Sequence, residues 1–390
     1  MNAFEKKRVI RVAHIITDLD VGGAEMMLFK LISHIDRSRF SSEVMSLLPL
    51  GPVGSDLMQA GLPVYSLGLA RGCFKPTAIL RTAGWLRRFR PHVVQTWMYH
   101  ADLLGSLAVN LTNRRPALAW NIRHSNLDVR HIKRSTIAVA RACAHLSRIL
   151  PCRTVCCSVA GRREHISLGY VASKMTVIPN GVDATLFRPD PQAHGIVCDE
   201  LGLPRSAVLI GLPAAFRPEK NHAGFAEAAA RVAARRVDAR FVLCGNDVSD
   251  SNHVLQAMLE RQGLRGRYHL LGARKDMPRL MAAFRVVVSS SHSEGFPNIL
   301  AEAMACGTVC VAADVGDSAQ IIGATGVVVP PDDPSALANA ILQVLAFTDD
   351  KYSQLSESAR LRACEDLSLQ ATVARYEGLY SELAASRTYD

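Results

Sequence analysis

No window of 18 or more apolar, uncharged residues occurs in the 390-residue chain, so no transmembrane helix is expected. No export signal is expected either, because the apolar run after MNAFEKKR is short and soon interrupted. There is no low-complexity tract. At 49% hydrophobic and 21% charged residues, collagen-like, mucin-like and wholly disordered chains are excluded. Ten cysteines (residues 73, 143, 152, 156, 157, 198, 244, 306, 310 and 364) are scattered along the chain. Cys152, Cys156 and Cys157 crowd together, but no second Cys or His pair stands at zinc-finger spacing. Reduced thiols in a cytoplasmic protein are the expectation.

Acidic residues are nearly absent from one long stretch. Residues 71–163 hold 17 Lys/Arg against two acids, Asp102 and Asp128. The whole chain has 45 Lys/Arg and 35 Asp/Glu, net +10. Residues 1–190 carry +14 (26 basic, 12 acidic) and residues 191–390 carry −4 (19 basic, 23 acidic). A local anionic partner follows. No aromatic interleaving or nucleic-acid motif accompanies the basic residues, so nucleic acid is not expected. Residues 132–150 read as an amphipathic helix, with Ile132, Thr136, Val139, Cys143, Leu146 and Leu150 on one face. Arg134, Arg141 and Arg148 recur every seven residues on another. That stripe is either a solvated basic face or a surface for anionic lipid headgroups.

Short apolar strands alternate with helical stretches along most of the chain. The strand candidates are 8–16, 43–50, 92–97, 117–124, 154–158 and 175–183, then 208–216, 240–245, 268–272, 286–291, 308–313 and 326–330. Apolar strands alternating with helices indicate a parallel sheet covered on both faces. The pattern occurs twice, which predicts two Rossmann-like, doubly wound α/β domains. The stretch RPDPQAHG (188–195) reads as a linker, placing one domain at 1–192 and the next at 193–368. The helical stretch 369–390 follows the second sheet and is expected to cross back to the first domain.

Three loops could carry chemistry. In DVGGAE (20–25), Gly22 and Gly23 follow a strand and open a helix, so backbone amides can approach a phosphate or sugar. It is not G-x-G-x-x-G, so dinucleotide binding is weakly supported, and a turn needing glycine only for sterics is equally open. In AAFRPEKNH (214–222), Arg217 and Lys220 stand at a strand end, where ligands of open α/β sheets bind. Two cations there suit a diphosphate, although a solvated basic turn is the commoner case. In SEGFPNILAEAMACG (293–307), Glu294 precedes a helix and Glu302 lies within it. Paired carboxylates round a helix amino end suit the hydroxyls of a sugar nucleotide, with the amides facing its phosphates. The DLD at 18–20 spells D-x-D, a pattern that can hold a divalent metal.

These loops, in this order, resemble the retaining glycosyltransferases of family 4. The glutamates of SEGFPNILAE match that family's E-x7-E motif, GGAE its Gly loop, and RPEKNH its basic motif. VIPNGVDATLF (177–187), LGARKDMPRLMAAF (271–284) and DVGDSAQIIGATGVVVPPDDP (314–334) match further family stretches. The resemblance implies the GT-B architecture, two Rossmann-like domains facing across a cleft. It makes Glu294 the ligand of donor-sugar hydroxyls, Glu302 the ribose ligand and Lys220 the diphosphate ligand. Gly295, Phe296, Pro297, Asn298 and Ile299 would shape the donor loop, with Gly22, Gly23, Gly245 and Arg274 also on the donor. His124 would stand against the donor sugar, with His100 and Asn180 lining the acceptor cleft. The family arginine five residues before the lysine is Ala215 here, and Arg217 is the candidate replacement.

The resemblance further implies a nucleotide diphosphate sugar, expected to be a UDP-sugar, as donor. It implies a glycan acceptor, expected to be lipid-linked, in surface-polysaccharide assembly at the inner face of a membrane. The family needs no metal, because helix dipole and basic residues neutralise the diphosphate, so no metal is expected at Asp18 and Asp20. Two other classes stay open. One is a nucleotide-sugar epimerase of similar fold, and the other a non-catalytic membrane- or glycan-binding homologue, motivated by Ala215.

Overall fold

The computed structural model describes residues 9–72, 75–124 and 134–386. Two compact units emerge. One takes the chain up to Asn180 and from Leu369 onward, and the other takes Gly181–Ser368.

The first unit holds seven strands: β1 (Ile10–Ile16), β2 (Phe40–Ser46), β3 (Val64–Ser66), β4 (Val93–Trp97), β5 (Ala117–Ile122), β6 (Arg153–Cys156) and β7 (Met175–Val177). They lie in the order β3-β2-β1-β4-β5-β6-β7, every pairing parallel. The second unit holds six: β8 (Val208–Pro213), β9 (Ala239–Cys244), β10 (Tyr268–Leu270), β11 (Val286–Ser289), β12 (Val309–Ala313) and β13 (Val327–Val329). Their order is β10-β9-β8-β11-β12-β13, again all parallel. Both orders are those of a doubly wound sheet, so the fold class expected from the sequence is found twice.

The strands are apolar on both sides because helices cover both faces. All of β11 and β12 is buried, with no polar alternation. In the first unit one face packs Trp85, Tyr99 and Trp120. The other packs Trp97, Phe40 and the C-terminal helix Leu369–Ala385. That helix buries Leu369, Val373, Tyr376, Leu379, Tyr380 and Leu383, roughly 1.5–3 kcal/mol for each large apolar side chain.

The passage between units differs from the sequence expectation. The chain enters the second unit after Asn180, not near residue 192. Val182 and Phe187 are buried there, and the Val182 N–H donates to the Leu367 carbonyl at 2.8 Å. The supposed linker leads straight into the helix Ala193–Glu200, whose Ala193 and Val197 are fully buried. Its two prolines shape the approach to that helix and do not mark a domain boundary.

Candidate active site

In the second sheet the chain leaves neighbouring strands β8 and β11 in opposite directions, towards β9 and β12. Their carboxyl ends therefore open a crevice of the kind that binds ligands in such sheets. The loop after β8 forms a turn at Pro218–Lys220, and Asn221 then caps the helix His222–Ala233. The loop after β11 runs through Glu294 to the helix Asn298–Ala305. Ser290 Oγ ties the loops together by donating to the carbonyls of Lys220 (3.0 Å) and Asn221 (3.2 Å). The His292 N–H adds a bond to the Glu219 carbonyl at 2.8 Å. So fixed, Lys220 Nζ lies 2.5 Å from Glu294 Oε1, and Ser291 Oγ donates to the same oxygen at 2.7 Å. The Glu294 side chain is only 12% exposed and that of Lys220 26%, which places a charge-assisted pair largely out of water.

Two glycines make this crevice possible. Gly316 has φ +59°, and a β-carbon on it would lie 2.4 Å from the Glu294 carbonyl oxygen. The adjacent Asp317 N–H donates to the Gly295 carbonyl at 3.1 Å, so the loop after β12 grips the Glu294–Gly295 turn. Gly245 has φ +148°, and its β-carbon would meet the Ala214 carbonyl at 2.6 Å. Pro297 begins the helix Asn298–Ala305 with no side-chain cap on its first amides. Those amides and the helix dipole favour an anion. Glu302 is half-buried in the same helix.

The first sheet has its own crevice, between the ends of β1 and β4. Gly22 begins the helix Gly23–His34, and a β-carbon there would fall 2.3 Å from Glu25 Oε2, so the glycine gives that carboxyl room. Burial and the neighbouring Asp18 carboxylate push the Glu25 carboxyl up to about 7, against the opposing charge of Arg123. Arg123 donates to Asn180 Oδ1 and lies 5.4 Å over the Trp97 ring. Met98 ends β4 at φ 74°, ψ 156°, backbone that is otherwise almost confined to glycine. Exposed His100 lies in the first turn of the helix it starts, Tyr99–Asn110. His124 stacks on Tyr99 with ring centres 6.5 Å apart. Arg71 closes on the D-x-D, with Nη2 3.0 Å from Asp20 Oδ2 and 3.9 Å from Asp18 Oδ2.

The family described as "Glycosyltransferase Family 4" matches residues 21–186, and "Glycosyl transferases group 1" matches residues 207–346. The chain belongs to these glycosyltransferases. It is 28% identical over 221 residues to the UDP-Gal:alpha-D-GlcNAc-diphosphoundecaprenol alpha-1,3-galactosyltransferase of Escherichia coli, matching 55% of this chain and 56% of that one. It is 26% identical to the putative glycosyltransferase EpsF of Bacillus subtilis, over 80% of both chains. The chain thus spans just over half the length of the first relative. Among solved structures, Anabaena HepE in complex with UDP superposes with a TM-score of 0.83 at 22% identity, covering 96% of this chain and 100% of that one. The GT-B pair of Rossmann-like folds is the shared architecture.

In this chain Lys220, Glu294, Gly295 and the amino end of Asn298–Ala305, with Phe296, Pro297 and Ile299, lie on the loops that follow β8 and β11. Arg217 is exposed and lines a cavity of about 200 Å³ with Phe216, Asn221, His222, Met258 and His292. Arg274 is held by carboxylates, Glu200 Oε1 at 2.6 Å and Asp276 Oδ1 at 2.7 Å. Its guanidinium braces the second unit and is not presented to a ligand. Gly245 serves a close backbone approach. The stripe of three arginines also changes. The helix is Arg134–Leu146, with Ile132 outside the described residues, and Arg148 lies beyond its end. Its buried face is Ile137, Ala140, Cys143 and Ala144, because small alanines sit closest to the sheet while Thr136, Val139 and Leu146 are half-buried. All three arginines are exposed. Sequence reasoning missed Ser290, Ser291, Asn221 and Gly316. The serine run SSSHSEG was the visible signal for the first two, while Asn221 and Gly316 stood unmarked inside the RPEKNH and DVGDSAQIIG stretches.

Proposed function

We propose that the chain is a metal-independent, retaining glycosyltransferase that moves a sugar from a UDP-sugar to a lipid-linked glycan acceptor. The observation that carries this reading is the Lys220–Glu294 pair beside the amino end of Asn298–Ala305. The names of the similar proteins support it. One acts with UDP-Gal on a diphosphoundecaprenol-linked sugar, and one folds alike and holds UDP or UDP-glucose.

On this reading the donor divides the ion pair. Its diphosphate takes Lys220 and the helix amides, where negative charge develops as the glycosidic bond breaks. Glu294, released, accepts hydrogen bonds from the sugar hydroxyls, and Glu302 from the ribose. The acceptor oxygen attacks the face the diphosphate leaves, and a donor phosphate oxygen takes its proton. No divalent ion enters this scheme, so EDTA should leave transfer unchanged. Loss that Mg²⁺ or Mn²⁺ restores would bring Asp18 and Asp20 back as ligands.

The acceptor substrate places the protein at a membrane surface. Arg134, Arg141 and Arg148 are exposed, and Ile149 beside them is 76% exposed. No helix among the described residues is long and apolar enough to cross a membrane.

The test is incubation with a panel of nucleotide sugars and undecaprenyl-diphosphate glycolipids, scoring free nucleotide and glycolipid product. Glycolipid product with retained anomeric configuration supports the reading. Ala215, five residues before Lys220 where the family carries an arginine, favours one second reading, a binding homologue that holds donor or glycan without turnover. Binding of UDP with no product from any donor would establish it instead.

A further inference from the structure

A second anion site is suggested at the opposite end of the first sheet from the Gly22 turn. A cavity of about 310 Å³ forms there, where β1, β4 and β5 begin. Arg11, Arg87, Arg90 and Arg114 line it, and among the described residues no Asp or Glu does. Its volume is at the low end for ligand pockets, which run from about 300 to 1,000 Å³. From Arg11 to Ile16 at the crevice is about 17 Å, five residues at about 3.3 Å each.

The arginines are positioned. Arg11 Nε donates to the Arg90 carbonyl at 2.8 Å, and Arg87 Nη2 to the Leu111 carbonyl at 2.5 Å. Arg90 ends its helix at φ 53°, a position that commonly takes glycine. Beneath them the cavity is floored by buried polar residues, His92 at 5% and Thr112 at 8% exposure. His92 Nδ1 accepts from the Arg11 N–H at 2.8 Å, which anchors the ring to β1. No carboxylate among the described residues forms an ion pair with Arg87, Arg90 or Arg114. Arg87, Arg90 and Arg114, gathered without a carboxylate partner among the described residues, repel one another, and guanidinium groups match phosphate oxygens in pairs.

We infer that this cavity binds a ligand carrying one or two phosphate groups, either a free phosphate compound or a phosphate-bearing lipid headgroup. The inference is independent of the donor assignment, since no residue is shared with the Lys220–Glu294 crevice.

Calorimetric titration of the full chain with pyrophosphate at low salt tests it, alongside sedimentation with phosphatidylcholine vesicles that contain or lack phosphatidic acid. Arg87→Gln/Arg114→Gln should weaken pyrophosphate binding at least tenfold and should melt at or above the wild-type temperature, since repulsion is relieved. Lys220→Ala should lose only the pyrophosphate binding of the donor crevice and retain this one, so the arginine variants are compared in the Lys220→Ala background. If the double variant does not fold, Arg114→Gln alone, a change in an exposed loop, should weaken binding at least threefold. Vesicle binding that needs phosphatidic acid and is lost in the variant assigns a lipid headgroup, and pyrophosphate binding alone assigns a free phosphate compound. Binding unchanged in the arginine variants, binding abolished by Lys220→Ala, or no binding of either probe by wild type would overturn the proposal.

Discussion

Lys220 and Glu294 stand 74 residues apart in the chain and 2.5 Å apart in space. The contact exists because Ser290 and His292 sew the loop after β11 to the turn after β8. On the proposed reading each residue has two roles, partner to the other when no donor is bound and ligand to a different part of the donor afterwards. The two variants should therefore differ. Lys220→Ala should weaken UDP binding and strand a mostly buried carboxylate, at a cost of about 1–3 kcal/mol in stability. Glu294→Gln releases the lysine, so UDP should bind as well or better while sugar transfer falls. Transfer should drop more than tenfold in both, about 1.4 kcal/mol in transition-state terms. Calorimetry with UDP, thermal melting and a transfer assay check this. Activity within twofold of wild type in either variant would remove the pair from the mechanism.

Gly316 is the less visible support of the same loop. Its φ of +59° and the 2.4 Å approach of a β-carbon to the Glu294 carbonyl leave no room for alanine. Gly316→Ala should cost at least about 1–2 kcal/mol from the backbone conformation alone. It should also displace the Glu294–Gly295 turn and depress transfer. Urea denaturation and the transfer assay report the two effects. A variant as stable and as active as wild type would mean the loop yields without consequence.

Glu25 couples the first unit to pH. Its carboxyl rises from the ordinary 4.5 to about 7, chiefly through burial. The folded state therefore holds this proton more tightly than the unfolded chain does. That contribution is undiminished below pH 4.5 and is lost as pH rises towards 7. Glu25→Gln removes the ionisation. The variant should gain on wild type from pH 5 to pH 8, by up to about 3 kcal/mol from the size of the displacement. Melting temperatures across that range give the difference, and a gap that stays constant with pH would contradict the assignment.

How far the sequence could be read depended on whether the signal was local. Runs such as VVVS in β11 announce buried parallel strands without help from elsewhere. The three half-buried residues of β3 do not, and that strand was not anticipated. The helix Ala193–Glu200 was hidden behind two prolines that resemble a linker. Within the site, Glu294 and Lys220 stood out as charges in Gly/Pro loops. Arg274 looked equally suited to a phosphate, but Glu200, 74 residues away in the chain, occupies its guanidinium. Ser291, Asn221 and Gly316 carry no charge, and their importance lies in hydrogen bonds and close approaches that only the folded loops create.

The basic face of the first unit yields the last prediction. Arg134 and Arg141 lie seven residues apart on one helix, and Arg148 follows its end, all three exposed. Asp102, one of the two acids in residues 71–163, is fully buried, so it cannot offset the charge outside. Burial pushes its carboxyl well above the usual range, against hydrogen bonds from Thr96 and Asn121. If this face meets lipid, the protein should bind vesicles containing phosphatidylglycerol and ignore pure phosphatidylcholine. Binding should weaken with salt, since surface charges are screened beyond about 10 Å at 0.1 M. Arg134→Gln/Arg141→Gln/Arg148→Gln should lower vesicle affinity about tenfold or more, as expected when three cations leave an anionic surface. Ile149→Ser should reduce the binding that survives high salt, because this exposed side chain is the apolar group best placed to enter the interface. Neither change should alter UDP binding, which is assigned to the second unit. Transfer to a lipid-linked acceptor should fall while donor hydrolysis persists. Equal sedimentation of the triple variant and wild type with anionic vesicles would leave this helix as an ordinary solvated basic surface.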